Sequence, residues 1–204
     1  GNVWINKDDL SSMPIYNAFG NIAGIILGMN NPGDSSQQTP FTRYEFPNGT
    51  EFWGVEAHFR DPEYVCNDAV SEGEYTSGKI GDGLWIANGD GKGKYYQAPL
   101  KEDVAQLNSD GFKRGACFVQ MGVHYWRDME VDMDCNDMYP IFLLYNKGKL
   151  SAWGIALAHD DRPYLGSKKW EHPGGSVLNA FFAKGETPTC LPKQGTLSTQ
   201  HVYM

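Results

Sequence analysis

Residues 141–158 constrain the fold more than any other stretch. Ile141–Tyr145 and Leu150–Ala158 are apolar runs of strand length, and Asn146-Lys147-Gly148-Lys149 between them has the Asn/Gly chemistry of a tight reversal. Two such runs joined this way predict an antiparallel hairpin. The pattern recurs: Pro14–Phe19 and Ile22–Met29 flank Gly20-Asn21, and Leu84–Asn88 and Lys94–Ala98 flank a turn that opens on Asn88-Gly89. Glu51–Arg60 alternates with the period of two that a strand imposes, with Trp53, Val55, Ala57 and Phe59 on one face and Phe52, Gly54, Glu56, His58 and Arg60 on the other. Cys117–Trp126 reads as a further long strand, placing Gln120, His124 and Trp126 opposite Cys117, Val119, Met121, Val123 and Tyr125. Late strands are expected at Ser176–Phe182 and Gln200–Tyr203. Helical signals are few: Lys101–Leu107, and a turn or two at Lys7–Met13 and Pro62–Cys66. With 24 glycines and 11 prolines to make reversals, the chain reads as mainly β, an antiparallel β-barrel or β-sandwich with a few short peripheral helices, formed as one domain over residues 1–204.

Charge narrows the partners. The formal net charge is −8, with no basic footprint for a phosphate backbone, so nucleic acid is excluded as a partner. No apolar run approaches the length of a membrane span. The chain starts at Gly1, which reads as a processed or recombinant mature form. Four cysteines, Cys66, Cys117, Cys135 and Cys190, lack the close pair spacing of zinc and redox motifs, which points to two disulfides. Three connectivities are open; sequence order favours Cys66–Cys117 with Cys135–Cys190. Asn48-Gly49-Thr50 is a glycosylation acceptor pattern in a turn-like context. Disulfides and a sequon together predict a secreted, extracellular glycoprotein.

Two constellations carry chemistry. His58 and His124 each lie mid-strand, with Glu56 two residues before His58 and therefore on its face. Two imidazoles and a carboxylate suit a transition metal with one open position, which makes His58, His124 and Glu56 a candidate metal set. The aromatic residues Trp53, Tyr125, Trp126 and Trp153 fall on several predicted strands, where rings with polar tips suit an apolar or aromatic ligand. The acidic run Glu130–Asp137 lacks the glycine and distal glutamate of a calcium loop and reads as a solvated connection. No Gly-x-Ser-x-Gly elbow is present to support a serine nucleophile.

The segments Gly20–Gly24, Gly83–Gly89, Met121-Gly-Val-His-Tyr-Trp126, Asp134-Cys135, Pro140–Asn146 and Leu197-Ser-Thr-Gln-His-Val-Tyr203 resemble a group of secreted invertebrate proteins without an assigned activity. That resemblance implies secretion and one β-rich domain. The Met121–Trp126 core is also loosely similar to cupin β-barrels, but the His and Glu that follow the first His of the cupin metal motif are replaced here by Tyr125-Trp126 and Arg127-Asp128. The leading expectation is a secreted small-molecule-binding protein that holds an apolar or aromatic ligand in a β-barrel pocket. The alternatives are a metal-dependent lyase or oxygenase of cupin-like type and an extracellular structural or interaction protein.

Overall fold

The computed structural model describes residues 1–6, 8–30, 40–46, 49–67, 81–88, 94–158, 167–194 and 197–204. The fold is mainly β, with two antiparallel sheets and one short α-helix among the described residues. Both sheets are open at their edges, so neither forms a closed barrel. The chain resolves into two compact units, a finer division than one β-rich domain. The first comprises the described residues of 1–98 with Ser167; the second comprises 99–158 and 168–204.

The first unit carries β1 (Asn2–Val3), β2 (Met13–Tyr16), β3 (Ile22–Met29), β4 (Thr42–Glu45), β5 (Glu51–His58), β6 (Trp85–Ala87) and β7 (Tyr95–Gln97). The predicted hairpin at 14–29 forms as β2–β3 and the one at 84–98 as β6–β7. On one edge β5 pairs with β3 along Trp53–His58. Its other edge is shared: β4 pairs with Glu51–Gly54, and β6 with Ala57 and His58. Val55 and Glu56 therefore face the interval between two short strands.

The second unit begins with α1 (Val104–Ser109) and continues as β8 (Phe112–Phe118), β9 (Gly122–Arg127), β10 (Ile141–Asn146), β11 (Lys149–Leu157) and β12 (Ser198–Tyr203). The five strands lie in sequence order. The β10–β11 hairpin is the one predicted, and its two loop residues Lys147 and Gly148 have φ of 51° and 72°, as a primed turn requires. Helix α1 starts three residues later than Lys101–Leu107 implies. Lys101 and Glu102 are engaged with the β10–β11 turn, where Glu102 N–H donates to Gly148 O at 3.0 Å. Asp103 then caps the helix by accepting from Gln106 N–H at 3.0 Å.

Three expectations are corrected. Cys117–Trp126 is two strands, not one: Met121 N–H donates to Phe118 O at 3.1 Å, and Gln120 takes φ 74°. Gln is an uncommon occupant of that left-handed position, which hides the turn in the sequence. Gly122 follows at φ 111°, where a Cβ would lie 2.5 Å from Tyr145 O, so the β9–β10 approach needs glycine. Ser176–Phe182 is no strand; Gly175–Ala180 forms a 3-10 turn that buries Leu178 and leads into buried Phe181 and Phe182. Finally, Cys135 and Cys190 form the disulfide expected of them, with a Cα–Cα distance of 5.6 Å, whereas Cys66 and Cys117 are exposed free thiols, one in each unit. Each unit has its own sheet, which sequence order cannot reveal. Asn48 lies outside the described residues.

Candidate functional site

In the second unit one sheet face is built for concavity. Register places Lys113, Trp126, Phe142, Gly154 and His201 in one row across the sheet, and His124, Leu144, Ala152 and Tyr203 in the next. Strand β11 thus contributes only Gly154, Ala152 and Ala156 to this face. The Phe142 ring leans over Gly154, where a Cβ would stand 2.4 Å from Phe142 Cζ and 2.2 Å from Gln200 O. The glycine lets Phe142 meet His201 edge to face, with ring centroids 5.0 Å apart.

The segment 168–194 covers that face, together with Leu197. Glu171 and Thr199 exchange backbone hydrogen bonds of 2.8 and 2.9 Å, tying the segment to β12. The Cys135–Cys190 disulfide ties it to the β9–β10 connection. The Phe181 carbonyl accepts from both Ala116 N–H and Trp126 Nε1–H, each at 3.1 Å. Gly115 makes room for this contact, since a Cβ there would stand 2.5 Å from Phe181 O. Leu178, Phe181, Phe182, Leu191 and Leu197 join Trp126, Phe142 and Leu144 in one apolar cluster.

Between sheet and cover lies a cavity of about 320 Å³. Four aromatic rings line it, those of Phe118, Trp126, Phe142 and Phe181, with His124, His172, His201, Thr199 and Glu171 adding polarity. His124 is 1% exposed and its ring stacks on Trp126 at 5.6 Å. Its Nδ1 is buried with no hydrogen-bond partner. Burial pushes the His124 imidazole down to about 4, helped by repulsion from a protonated His201 and resisted by the Ala116 and Gly122 backbone. His201 is also pushed down by burial, against the pull of Glu171. Its Nδ1 lies 3.1 Å from Glu171 Oε2, within ion-pair distance but not aligned as a hydrogen bond. His172 Nδ1 lies 3.1 Å from Ser198 Oγ.

No protein-family model, curated protein or solved structure matches this chain. The residues themselves therefore carry the functional reading.

Of the aromatic residues expected to hold a ligand, Trp126 lines the cavity. Tyr125 and Trp153 are fully buried on the opposite face of the same sheet, where Tyr125 OH donates to Glu102 Oε1 at 2.7 Å. Trp53 belongs to the first unit, half-buried on β5. The expected metal set divides in the same way, with Glu56 and His58 in the first unit and His124 in the second. Among the described residues no group of three or more His, Cys, Asp or Glu could hold a metal ion.

Glu56 and His58 belong instead to a polar cluster of the first unit, in which His58 Nδ1 is left without a partner. Glu56 accepts from Tyr44 OH at 3.0 Å and Tyr95 OH at 3.3 Å, and its Oε1 lies 2.5 Å from His58 Nε2. Burial alone would raise the Glu56 carboxyl, but the hydrogen bond and charge of His58, with the two phenols, hold it below its ordinary value. Burial and the Glu56 charge push both phenols up, Tyr95 to about 12.

Sequence reasoning missed Glu171, His172, Thr199 and His201. Thr199 and His201 alternate on β12, and starting that strand at Ser198 rather than Gln200 would have placed them on one face. Glu171 and His172 sit in an irregular segment with no periodicity to find.

Proposed function

We propose that this is a small-molecule-binding protein of the extracellular space, with its ligand seated between the β9–β12 face and segment 168–194. The carrying observation is the aromatic cavity of about 320 Å³, at the lower end of the roughly 300–1,000 Å³ range of small-molecule pockets. Its walls are rings, and its polar groups are few and converge from β9, β12 and the covering segment. Such a lining favours a compact ligand with a flat or apolar body, stacked on Trp126 and Phe142, and one or two polar atoms. The long-range disulfide fits an oxidising compartment. The described residues include no helix long and apolar enough to cross a membrane.

Isothermal calorimetry with 2-naphthol tests the reading. Saturable one-to-one binding is expected. Val177→Trp, which places an indole at a half-exposed position on the cavity wall, is expected to weaken that binding at least tenfold. Unchanged affinity in this variant would place the probe elsewhere and sink the reading.

A further inference from the structure

We infer that the ligand of this cavity is an organic cation, an amine or quaternary ammonium on an apolar body; the inference rests on the binding reading above. Among the residues lining the cavity, Glu171 is the one acidic side chain, and there is no Lys or Arg. The Glu171 carboxylate stands at the rim with 57% of its side chain exposed, where it can meet a charged group without being stripped of water first. The rings of Trp126, Phe142 and Phe181 line the same cavity. Rings attract a cation through their quadrupoles, and Trp does so best. Two of the imidazoles in the lining, His124 and His201, do not oppose such a guest. His124 stays uncharged at neutral pH, and His201, beside Glu171 and also flanked by His124 and Tyr203, is held toward its neutral form by burial. An anion would meet the carboxylate with no counter-charge in the lining. A neutral guest would leave Glu171 unused. The chain's net charge of −8 draws cations toward the surface as well.

The test compares benzyltrimethylammonium with its neutral carbon isostere neopentylbenzene and with the anion phenylacetate, by calorimetry on the intact protein at low salt. The cation is expected to bind at least fivefold more tightly than the isostere and phenylacetate more weakly than either. Glu171→Gln is expected to reduce the cation's advantage to less than twofold while leaving neopentylbenzene unchanged, which also shows that the variant is folded. Equal affinity for cation and isostere overturns the inference and leaves the binding reading standing. A preference that survives Glu171→Gln overturns the role of the carboxylate. Failure of every probe overturns the inference and the binding reading together.

Discussion

His58 and His124 look alike in sequence and end in opposite circumstances. Each is buried on a strand and followed by an aromatic residue, Phe59 in one case and Tyr125 in the other. The residue two positions earlier separates them. For His58 it is Glu56, which shares its face and reaches its Nε2 at 2.5 Å, and the carboxylate then gathers Tyr44 and Tyr95. For His124 it is Gly122, which offers only backbone, so His124 is left packed against Trp126, Phe142 and Phe181 with Nδ1 unpaired. Both imidazoles keep an Nδ1 without a partner, but His58 gives its Nε2 to a carboxylate already shared with two phenols. His124 has no side-chain partner of that kind and stands in the wall of an aromatic cavity. That setting is the reason the proposed ligand site is sought in the second unit.

The largest expected effect separates the two regions by their dependence on the covering segment. The Cys135–Cys190 bridge spans 55 residues of sequence, for which the chain-entropy account gives about 4 kcal/mol. Replacing both cysteines by serine is expected to destabilise the second unit by that order and to abolish ligand binding. Hydrogen exchange is the measurement: protection should fall across 168–194 and β9–β12 while β2, β3 and β5 keep theirs. Equal loss in both units would mean that the cavity is no more dependent on its cover than the Glu56 cluster is.

Next in size is the Glu56 cluster itself. Glu56→Ala leaves two phenols and an imidazole without their common acceptor, at a cost of about 3 kcal/mol for a partly buried, multiply hydrogen-bonded charge. Chemical denaturation measures it. Probe affinity at the cavity is expected to stay within a factor of two; a large loss of binding would show that the two sites are not independent.

Much of the frame was legible because it rests on local rules. Lys147-Gly148, both at positive φ, announce the β10–β11 hairpin, and the Glu56–His58 spacing announces a shared face. The cavity was hidden for three reasons. The β8–β9 turn carries Gln120 where glycine is usual, so two strands read as one. The concavity comes from Gly154, Ala152 and Ala156 being small, and the absence of a side chain gives no hydrophobic period to detect. The cover, Gly175–Ala180 with Phe181 and Phe182, is apolar without being periodic, and its residues read as a strand. Trp126 was found because it lies on a strand that alternates; His201 and Glu171 were missed because their pairing is set by the bridge between 171 and 199.

The smallest effect is the sharpest test of the contrast between the histidines. An imidazole that titrates at about 4 when folded and near 6.5 when unfolded binds its proton more readily in the unfolded chain. Stability is therefore full above pH 6.5 and falls as the pH drops from there to about 4, by on the order of 3 kcal/mol from His124. Glu56 acts in a lower window: its folded carboxyl lies below the ordinary 4.5, so its contribution is present above that value and is lost as pH falls through the depressed one. At neutral pH, His124→Phe exchanges a buried imidazole without a side-chain hydrogen-bond partner for a ring of similar shape and should change stability by less than about 1 kcal/mol, whereas His58→Phe removes the partner of a carboxylate and should cost about 2 kcal/mol. Between pH 6.5 and 4 the His124→Phe protein should lose most of the slope in its denaturation midpoint and keep a smaller one from His201. A wild-type slope that survives this substitution would mean that the slope does not come from His124, and the contrast between a carboxylate-paired histidine and an apolar-packed one would fail with it.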